Sequence, residues 1–171
     1  MSDLFRDCVK IALALGAIVL ILALDRQLTD GHYWINIPSS EGLPFMGLVE
    51  HTNYISPEHY GGDHIVYCGA YLLPEHPYFE IGKEDLMDVY LPGVAEINPE
   101  FDRSWIRKSW KFIELYAQPV PKMNHSENIP PLKTPLPGLW MANMSQVYPW
   151  DRGTNYAVEI GRRVAKRVME V

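Results

Sequence analysis

The residues from Gly153 to Tyr156, near the carboxyl end of the chain, could bind a negatively charged group. Gly153 has no side chain, so a ligand could approach its backbone closely. Thr154 is predicted to cap a helix, and the amides of Thr154, Asn155 and Tyr156 would then point out of the helix start with partial positive charge. Asn143, at the end of a preceding apolar segment, could add a hydrogen bond. The same pattern is also typical of any strand, loop and helix with a threonine cap.

Histidines and glutamates form a second group of residues that could do chemistry. Three histidines and two glutamates of this segment could ligate a metal, namely His51, His59, His64, Glu50 and Glu58. Their spacing matches no standard zinc motif, and the segment is predicted to be a strand followed by a glycine-rich loop. We therefore expect a hydrogen-bonded polar cluster here and predict no metal site.

Aromatic residues in the middle of the chain could form the wall of an apolar pocket. The candidates are Tyr67, Tyr71, Trp105, Trp110 and Tyr116. Packing in a hydrophobic core explains most of them equally well. Tyr71, Tyr116 and His51 are the residues that we assign to a substrate pocket.

Composition and missing motifs exclude several classes of function. The 171 residues are 47% hydrophobic and carry a net charge of −6, which disfavours a nucleic-acid binder because such a protein needs surplus basic charge. Two cysteines cannot make a disulfide framework or a four-thiolate metal site. The sequence contains no G-x-S-x-G, P-loop or Cys-x-x-Cys motif, so hydrolase, NTPase and dithiol chemistry lack support.

An unbroken apolar run at residues 11–24 allows three interpretations. It is shorter than the roughly 20 residues of a membrane-spanning helix. A signal peptide fits its length, but Asp3, Asp7 and the missing small-x-small cleavage pattern disfavour one. The third interpretation, a buried central strand at residues 17–22 that is covered on both faces, is the one we prefer. Association with a membrane stays open.

The elements that would position these residues are strands followed by helices. Alternation and turn residues predict strands at residues 33–37, 45–51, 64–71 and 105–118. Apolar residues at three- and four-residue steps predict a helix over 83–97, although Pro92 disfavours it. A proline-rich loop covers residues 119–137. A compact apolar strand is predicted at 139–144. A helix is predicted from Thr154 onward. The residues of its apolar face are Ala157, Ile160, Gly161, Val164, Ala165 and Val168.

This ending resembles the C-terminal signature of the amine oxidase, protoporphyrinogen oxidase and phytoene desaturase group of FAD-dependent oxidoreductases. The matching segments are 140–143 (WMAN), 153–157 (GTNYA) and 160–165 (IGRRVA). Upstream segments resemble the substrate domain of bacterial and archaeal protoporphyrinogen-oxidase-like members, and they read DRQLT (25–29), YW (33–34), EHTN (50–53) and YAQP (116–119). The resemblance covers most of the chain from about Gly16 onward.

Two features depart from the group's pattern. Asn143 stands where the group usually has Asp or Glu, so a contact to the cofactor could remain without its charge. No two glycines are two positions apart, so the sequence has no G-x-G-x-x-G, the fingerprint that binds the pyrophosphate of a dinucleotide. The resemblance therefore implies the C-terminal half of such an enzyme, as a fragment, a split gene product or a degenerate copy.

The resemblance implies an α+β fold in two parts. Residues 1–137 would belong to a β-rich substrate domain, and residues 138–171 would supply the last strand and helix of a Rossmann-like FAD domain. The implied reaction passes a hydride from a small organic substrate to FAD in the cytoplasm, with a separate chain carrying the other FAD-binding half. The residues assigned to FAD are Asn143, Met144, Arg152, Gly153, Thr154, Asn155 and Tyr156. The alternative is a non-catalytic binding or interaction module, associated with a membrane through residues 11–24.

Overall fold

A five-stranded sheet forms the centre of the fold in the computed structural model, which describes residues 14–150 and 153–170. The strands lie in the order β2-β3-β4-β1-β5 and are antiparallel, so with the helices the fold is mixed α+β. The strands are β1 (Ala14–Leu24), β2 (Trp34–Asn36), β3 (Gly47–Glu50), β4 (His64–Leu72) and β5 (Ile106–Pro119). The helices are α1 (Lys83–Ile97), the one-turn α2 (His125–Asn128) and α3 (Thr154–Met169).

The apolar run near the start of the chain forms β1, between β4 and β5. Its residues alternate in burial: Ile18, Leu20 and Leu22 are fully buried, whereas Ala17 and Val19 are half-buried. The predicted strand is confirmed, but its predicted cover on both faces is wrong, because helix α1 packs against one face only. Residues 11–13 of the run lie outside the described residues. No helix of the described part of the chain combines the length and the apolar character that crossing a membrane requires.

Helix α1 covers the buried face of the sheet and has the predicted bounds. Leu86, Tyr90 and Val94 are fully buried and belong to the same apolar cluster as the inward side chains of β1 and β4. Pro92 lies inside the helix on its exposed side, where the packing of the buried side compensates for the lost hydrogen bond. Gly93 lets the helix lie close to the segment that precedes β3, since a Cβ on Gly93 would lie 3.1 Å from the ring of Phe45.

Pro119 and the described residues that follow it belong to a second compact unit together with Ala14, while Leu15–Gln118 form the first. The predicted strand at 139–144 is wrong: Trp140 makes one isolated antiparallel bridge to Lys133, and Met144–Gln146 form a turn of 3-10 helix. An apolar run becomes a strand only where a neighbouring strand pairs with its backbone, and here only Lys133 does so over a single residue. The predicted domain boundary after Pro137 stays a prediction.

Helix α3 is observed from Thr154 to Met169, as predicted, but Gly153 takes the capping position and Thr154 is its first residue. The predicted apolar face is largely uncovered: Ile160 is buried, whereas Ala157, Ala165 and Val168 are exposed. The sequence pattern therefore predicts the helix and its face, but not what that face contacts.

Candidate functional site

The face of the sheet opposite α1 carries an open groove of about 380 Å³. Because side chains alternate along a strand, the residues between the buried positions of β1, β3 and β4 all point to this face. The lining residues are Ala17, Val19, Tyr33, Trp34, Asn36, Met46, Gly47, Val49, His51, Tyr67, Gly69, Ala70 and Tyr71. The groove thus has apolar and aromatic walls and lies on a rigid sheet.

Two glycines that face each other across neighbouring strands form the floor of the groove. Gly47 of β3 is paired with Gly69 of β4, and Gly69 is paired on its other side with Val19 of β1. Neither glycine has the positive φ that would require this residue type. A Cβ on Gly69 would lie no closer than 3.7 Å to Val19, and one on Gly47 would lie 3.7 Å from Ile35 O, so packing does not exclude a side chain either. The two glycines leave a bare strip of backbone, as happens where a ligand lies close to a strand.

The rim of the groove is held by contacts among its own residues. The Trp34 indole N–H donates to Asn36 Oδ1 at 2.7 Å, which fixes a ring that is 57% exposed. On the other side, the Tyr71 backbone N–H donates to Met46 Sδ at 3.3 Å. The Tyr33 ring lies beside Trp34, with its centroid 6.5 Å away. Among these contacts, the Trp34–Asn36 hydrogen bond holds an aromatic side chain, and the Tyr71 bond holds the backbone of the rim.

His51 is the imidazole in the lining of the groove. Its Nε2 lies 2.7 Å from the Tyr60 hydroxyl, and its ring meets the Tyr60 and Tyr67 rings edge to face at 5.5 and 6.0 Å. Burial raises the pKa of the Tyr67 phenol, with a smaller contribution from Tyr60 and Tyr33, so Tyr67 stays neutral. Among the described residues, Nδ1 of His51 makes no hydrogen bond. The groove thus has one imidazole whose second nitrogen is available.

A buried carboxylate next to His51 holds this end of the sheet together. Glu50 is fully buried; its Oε1 accepts from the Leu28 amide at 2.8 Å, and its Oε2 accepts from the Thr29 amide at 2.7 Å and the Thr29 hydroxyl at 2.6 Å. The Asn53 side-chain amide adds a further bond at 2.9 Å, and His64 Nδ1 lies 3.8 Å away. Several donors compensate for the cost of burying a carboxylate. Glu50 immediately precedes His51, so this network anchors the chain next to the imidazole, whose ring contacts Tyr60 and Tyr67.

The network also explains segments that sequence reasoning singled out without a physical reason. The segments at 25–29 and 50–53 are joined through Glu50, and Gln27 donates to Asn53 Oδ1 at 2.8 Å. Asn98, at the end of α1, donates to the Leu28 carbonyl at 2.7 Å. The expected hydrogen-bonded cluster of the histidines and glutamates at 50–64 does not form: Glu50 bonds to Leu28, Thr29 and Asn53, and the buried His64 Nδ1 makes no hydrogen bond to the described residues. His51 contacts Tyr60 and Tyr67, and Glu58 and His59 are exposed. No group of three potential metal ligands is found within residues 14–150 and 153–170.

The structure brings two of the three predicted substrate-pocket residues together. His51 and Tyr71 both line the groove. Tyr116 lies on β5, is 48% exposed and is absent from the lining. Sequence reasoning missed Gly47, Gly69 and Trp34. Glycines that occupy outward positions of adjoining predicted strands are the signal that could have revealed the groove. The assignment of all three residues to a substrate pocket stays a prediction.

Of the residues assigned to a cofactor, Gly153, Thr154, Asn155 and Tyr156 lie at the start of α3, and Arg152 lies outside the described residues. The Gly153 carbonyl accepts from the Ala157 amide, and a Cβ on Gly153 would lie 2.6 Å from Oδ1 of the exposed Asn155 side chain, which would have to shift. The Tyr156 ring stacks on Trp150, with centroids 6.4 Å apart. Thr154 and Asn155 contribute exposed first-turn positions of the helix.

Asn143 and Met144 belong to a local turn. The Asn143 side-chain oxygen accepts from the Ser145 amide at 3.0 Å and from the Ser145 hydroxyl, and the Asn143 amide donates to Gln146 Oε1 at 2.8 Å. Met144 is the first residue of the 3-10 turn. The Asn143 oxygen is therefore engaged within the chain, in contrast to the expectation of an open strand end.

The chain shares its fold with parts of larger solved proteins. No protein-family model matches it, and neither does any curated protein. An oxidoreductase from Methanosarcina mazei is 20% identical with a TM-score of 0.55, over 80% of this chain and 30% of that one. A reduced UDP-galactopyranose mutase is 14% identical with a TM-score of 0.57, over 74% and 27%. A protein described as a protoporphyrinogen oxidase, from Exiguobacterium sp. 255-15, is 9% identical with a TM-score of 0.66, over 95% and 36%.

These similarities define the fold. The chain spans about a third of the length of these structures. At such low identity the likeness extends to the architecture, a sheet with accompanying helices, and two of the three proteins are described as oxidoreductases. The groove, the glycine floor and the His51 contacts belong to this chain's own residues.

Proposed function

We propose that the chain is the C-terminal portion of an FAD-dependent oxidoreductase of the amine oxidase and protoporphyrinogen oxidase type. In this proposal the enzyme passes a hydride from a small organic substrate to FAD in the cytoplasm. The observation that carries it is the preformed aromatic groove with a bare backbone floor, on a sheet that is shared with segments of larger oxidoreductases. The likeness in sequence at 25–29, 50–53 and the terminal helix supports the same assignment.

The start of α3 is proposed to contact the FAD. When bound, FAD would supply the hydride acceptor at its N5 atom. Gly153 leaves its backbone open to a ligand because it has no side chain, and the first-turn amides of α3 carry partial positive charge. Those amides would stabilise negative charge on the reduced ring. The side-chain oxygen of Asn143, which Ser145 engages, is the weaker part of this fit.

A second chain is proposed to supply the dinucleotide-binding half, because no G-x-G-x-x-G is present. The exposed side chains of β5 and the uncovered face of α3 are the surfaces that such a partner could cover. On β5 they are Trp110, Phe112, Ile113, Leu115 and Tyr116, each at least 42% exposed. Because side chains alternate along a strand, Trp110, Phe112 and Tyr116 share one face of β5, and Ile113 and Leu115 share the other.

Flavin content of a reconstituted complex tests the proposal. The chain would be co-expressed with a chain from the same genome that carries a G-x-G-x-x-G βαβ unit, and the visible absorbance of bound flavin would be recorded. We expect a flavin-loaded complex and weak or no binding by this chain alone. Gly153→Val should lower the flavin content, whereas Gly161→Ala, on the same helix with open space around it, should not. A complex that forms without flavin, or that keeps full flavin with Gly153→Val, would contradict the proposal and favour the non-catalytic binding module.

A further inference from the structure

We infer that the groove binds a flat, uncharged ring system that lies face-on against the Gly47–Gly69 floor and presents one hydroxyl or carbonyl group to His51. The inferred ligand would be the substrate class of the proposed enzyme, and to that extent the inference rests on the proposed function. The floor is the first argument. Gly47, Gly69 and Val19 lie side by side across three strands, and the two glycines add no side chains to the sheet. A flat molecule can therefore contact the backbone over this strip.

The walls fit a ring system rather than a flexible chain. Tyr33, Trp34, Tyr67 and Tyr71 surround the floor and could contact a ring by stacking or edge to face. The volume of about 380 Å³ lies in the lower part of the range for small-molecule sites, roughly 300–1,000 Å³. A ligand of a few fused rings would fill such a space.

The lining also defines the charge of the ligand. None of the groove-lining residues that the structure describes is Asp, Glu, Lys or Arg. A charged ligand would lose water without gaining an ion pair, which is unfavourable. The lining side chains that can hydrogen-bond are His51, Asn36 and the tyrosines, and Asn36 Oδ1 is engaged by Trp34. A ligand with one polar group near His51 matches this arrangement.

Tyr60 is a positioning residue for this contact. Its hydroxyl lies 2.7 Å from His51 Nε2, so the tautomer of the imidazole, and whether Nδ1 donates or accepts, depends on this hydrogen bond. The segment that carries Tyr60 is a 3-10 turn, Pro57–Tyr60, which Ser56 caps. Gly61 and Gly62 follow with φ of 69° and 86°, values that favour glycine and let the chain return to β4.

A pair of matched probes tests the inference on the purified full chain. 2-Naphthol and 2-methylnaphthalene have the same shape, but only the first can hydrogen-bond to His51. Binding would be followed by quenching of tryptophan fluorescence, with Trp34→Phe as a check on which ring reports. We expect 2-naphthol to bind about five-fold more tightly, the size of effect that one hydrogen bond produces. No binding of either probe, or equal affinity for both, would overturn the inference.

Variants then separate the floor from the polar contact. Gly69→Leu should weaken both probes at least ten-fold, and Gly69→Ala should do so less, with circular dichroism confirming that each variant folds. Tyr60→Phe should leave 2-methylnaphthalene unchanged, reduce the preference for 2-naphthol, and change the ¹⁵N shifts of the His51 ring. Trp110→Ala removes an exposed ring outside the groove and should change neither affinity. A folded Gly69→Leu chain that binds both probes normally would contradict the placement on the floor.

The result is independent of the flavin test. Probe binding at the groove requires no FAD, so a chain that binds 2-naphthol as described but never forms a flavin-loaded complex would retain the inferred ligand class and lose the proposed enzyme. Conversely, a flavin-loaded complex that binds both probes equally, and whose affinity Gly69→Leu does not change, would retain the proposed enzyme and lose the inferred ligand class.

Discussion

The two faces of the central sheet are made by alternate residues of the same strands, yet they differ in what their side chains do. On the buried face, Ile18, Leu20 and Val66 are fully buried under α1. On the open face, the neighbouring positions carry small and aromatic residues that leave a groove over Gly47 and Gly69. The buried face supplies the apolar core, whereas the open face carries a groove that the core does not require. In our proposal the open face is therefore the one that binds a ligand.

The largest expected effect contrasts two isoleucines of β1. Ile18 is fully buried on the helix side, whereas Ile21 is half-buried on the open side. Ile18→Ala should lower the free energy of unfolding by about 2–5 kcal/mol, because it leaves a cavity in a packed core. Ile21→Ala should cost about 1 kcal/mol, because solvent already reaches its side chain. Urea denaturation measures both, and equal losses would refute the difference between the faces.

Glu50 is the charged residue of β3 on the buried face. Glu50→Gln should lower the free energy of unfolding by about 3 kcal/mol, because an amide replaces one oxygen that accepts from Leu28 or Thr29. Glu58→Gln, the same change at an exposed position, should stay within about 0.5 kcal/mol of wild type. Urea denaturation curves of both variants measure these two free energies of unfolding. A Glu50→Gln chain with unchanged stability would show that the network does not stabilise this end of the sheet.

Two glycines sharpen the comparison further. Gly16 lies on the buried side of β1, where a Cβ would lie 2.6 Å from the Phe79 ring. Gly16→Ala should therefore cost about 1–3 kcal/mol through overpacking. Gly69→Ala, on the open face, should be neutral or stabilising by about 0.5 kcal/mol, since the alanine restricts the unfolded chain and meets no clash. A large loss of stability with Gly69→Ala would mean that folding, rather than ligand binding, requires that glycine.

The smallest effect concerns the Cys68 thiol on the buried face. Burial raises the pKa of Cys68 from 9.0 to about 12. The folded state therefore keeps this proton when the unfolded state has lost it, and stability present below about pH 9 is lost as the pH rises towards 12. Between pH 7 and pH 10 the loss should be on the order of 1 kcal/mol. Cys68→Ala should lack this part of the pH dependence in chemical denaturation, and an identical profile in both chains would contradict the assignment.

Much of the framework was predictable from the sequence, because local patterns determine it. The bounds of α1 follow from apolar residues at helical spacing, and β1 follows from an apolar run too short to span a membrane. The strand at 139–144 failed because local apolar character does not supply a pairing partner. The groove and the Glu50 network depend on residues that are 20 or more positions apart, such as Gly47 with Gly69 and Thr29 with Glu50. A pattern within one segment does not specify such pairs, although the outward glycines of two adjoining predicted strands, Gly47 and Gly69, could have indicated the groove.

Mapping of backbone amide shifts tests the central claim, that the open face of the sheet is the ligand-binding face. The ¹⁵N-labelled chain would be titrated with 2-naphthol. The largest shifts should occur at Gly47, Gly69 and Tyr71, around the groove, with small changes at Trp110 and Phe112 of β5. Shifts concentrated on β5, or none along the groove, would show that the groove is not the binding site.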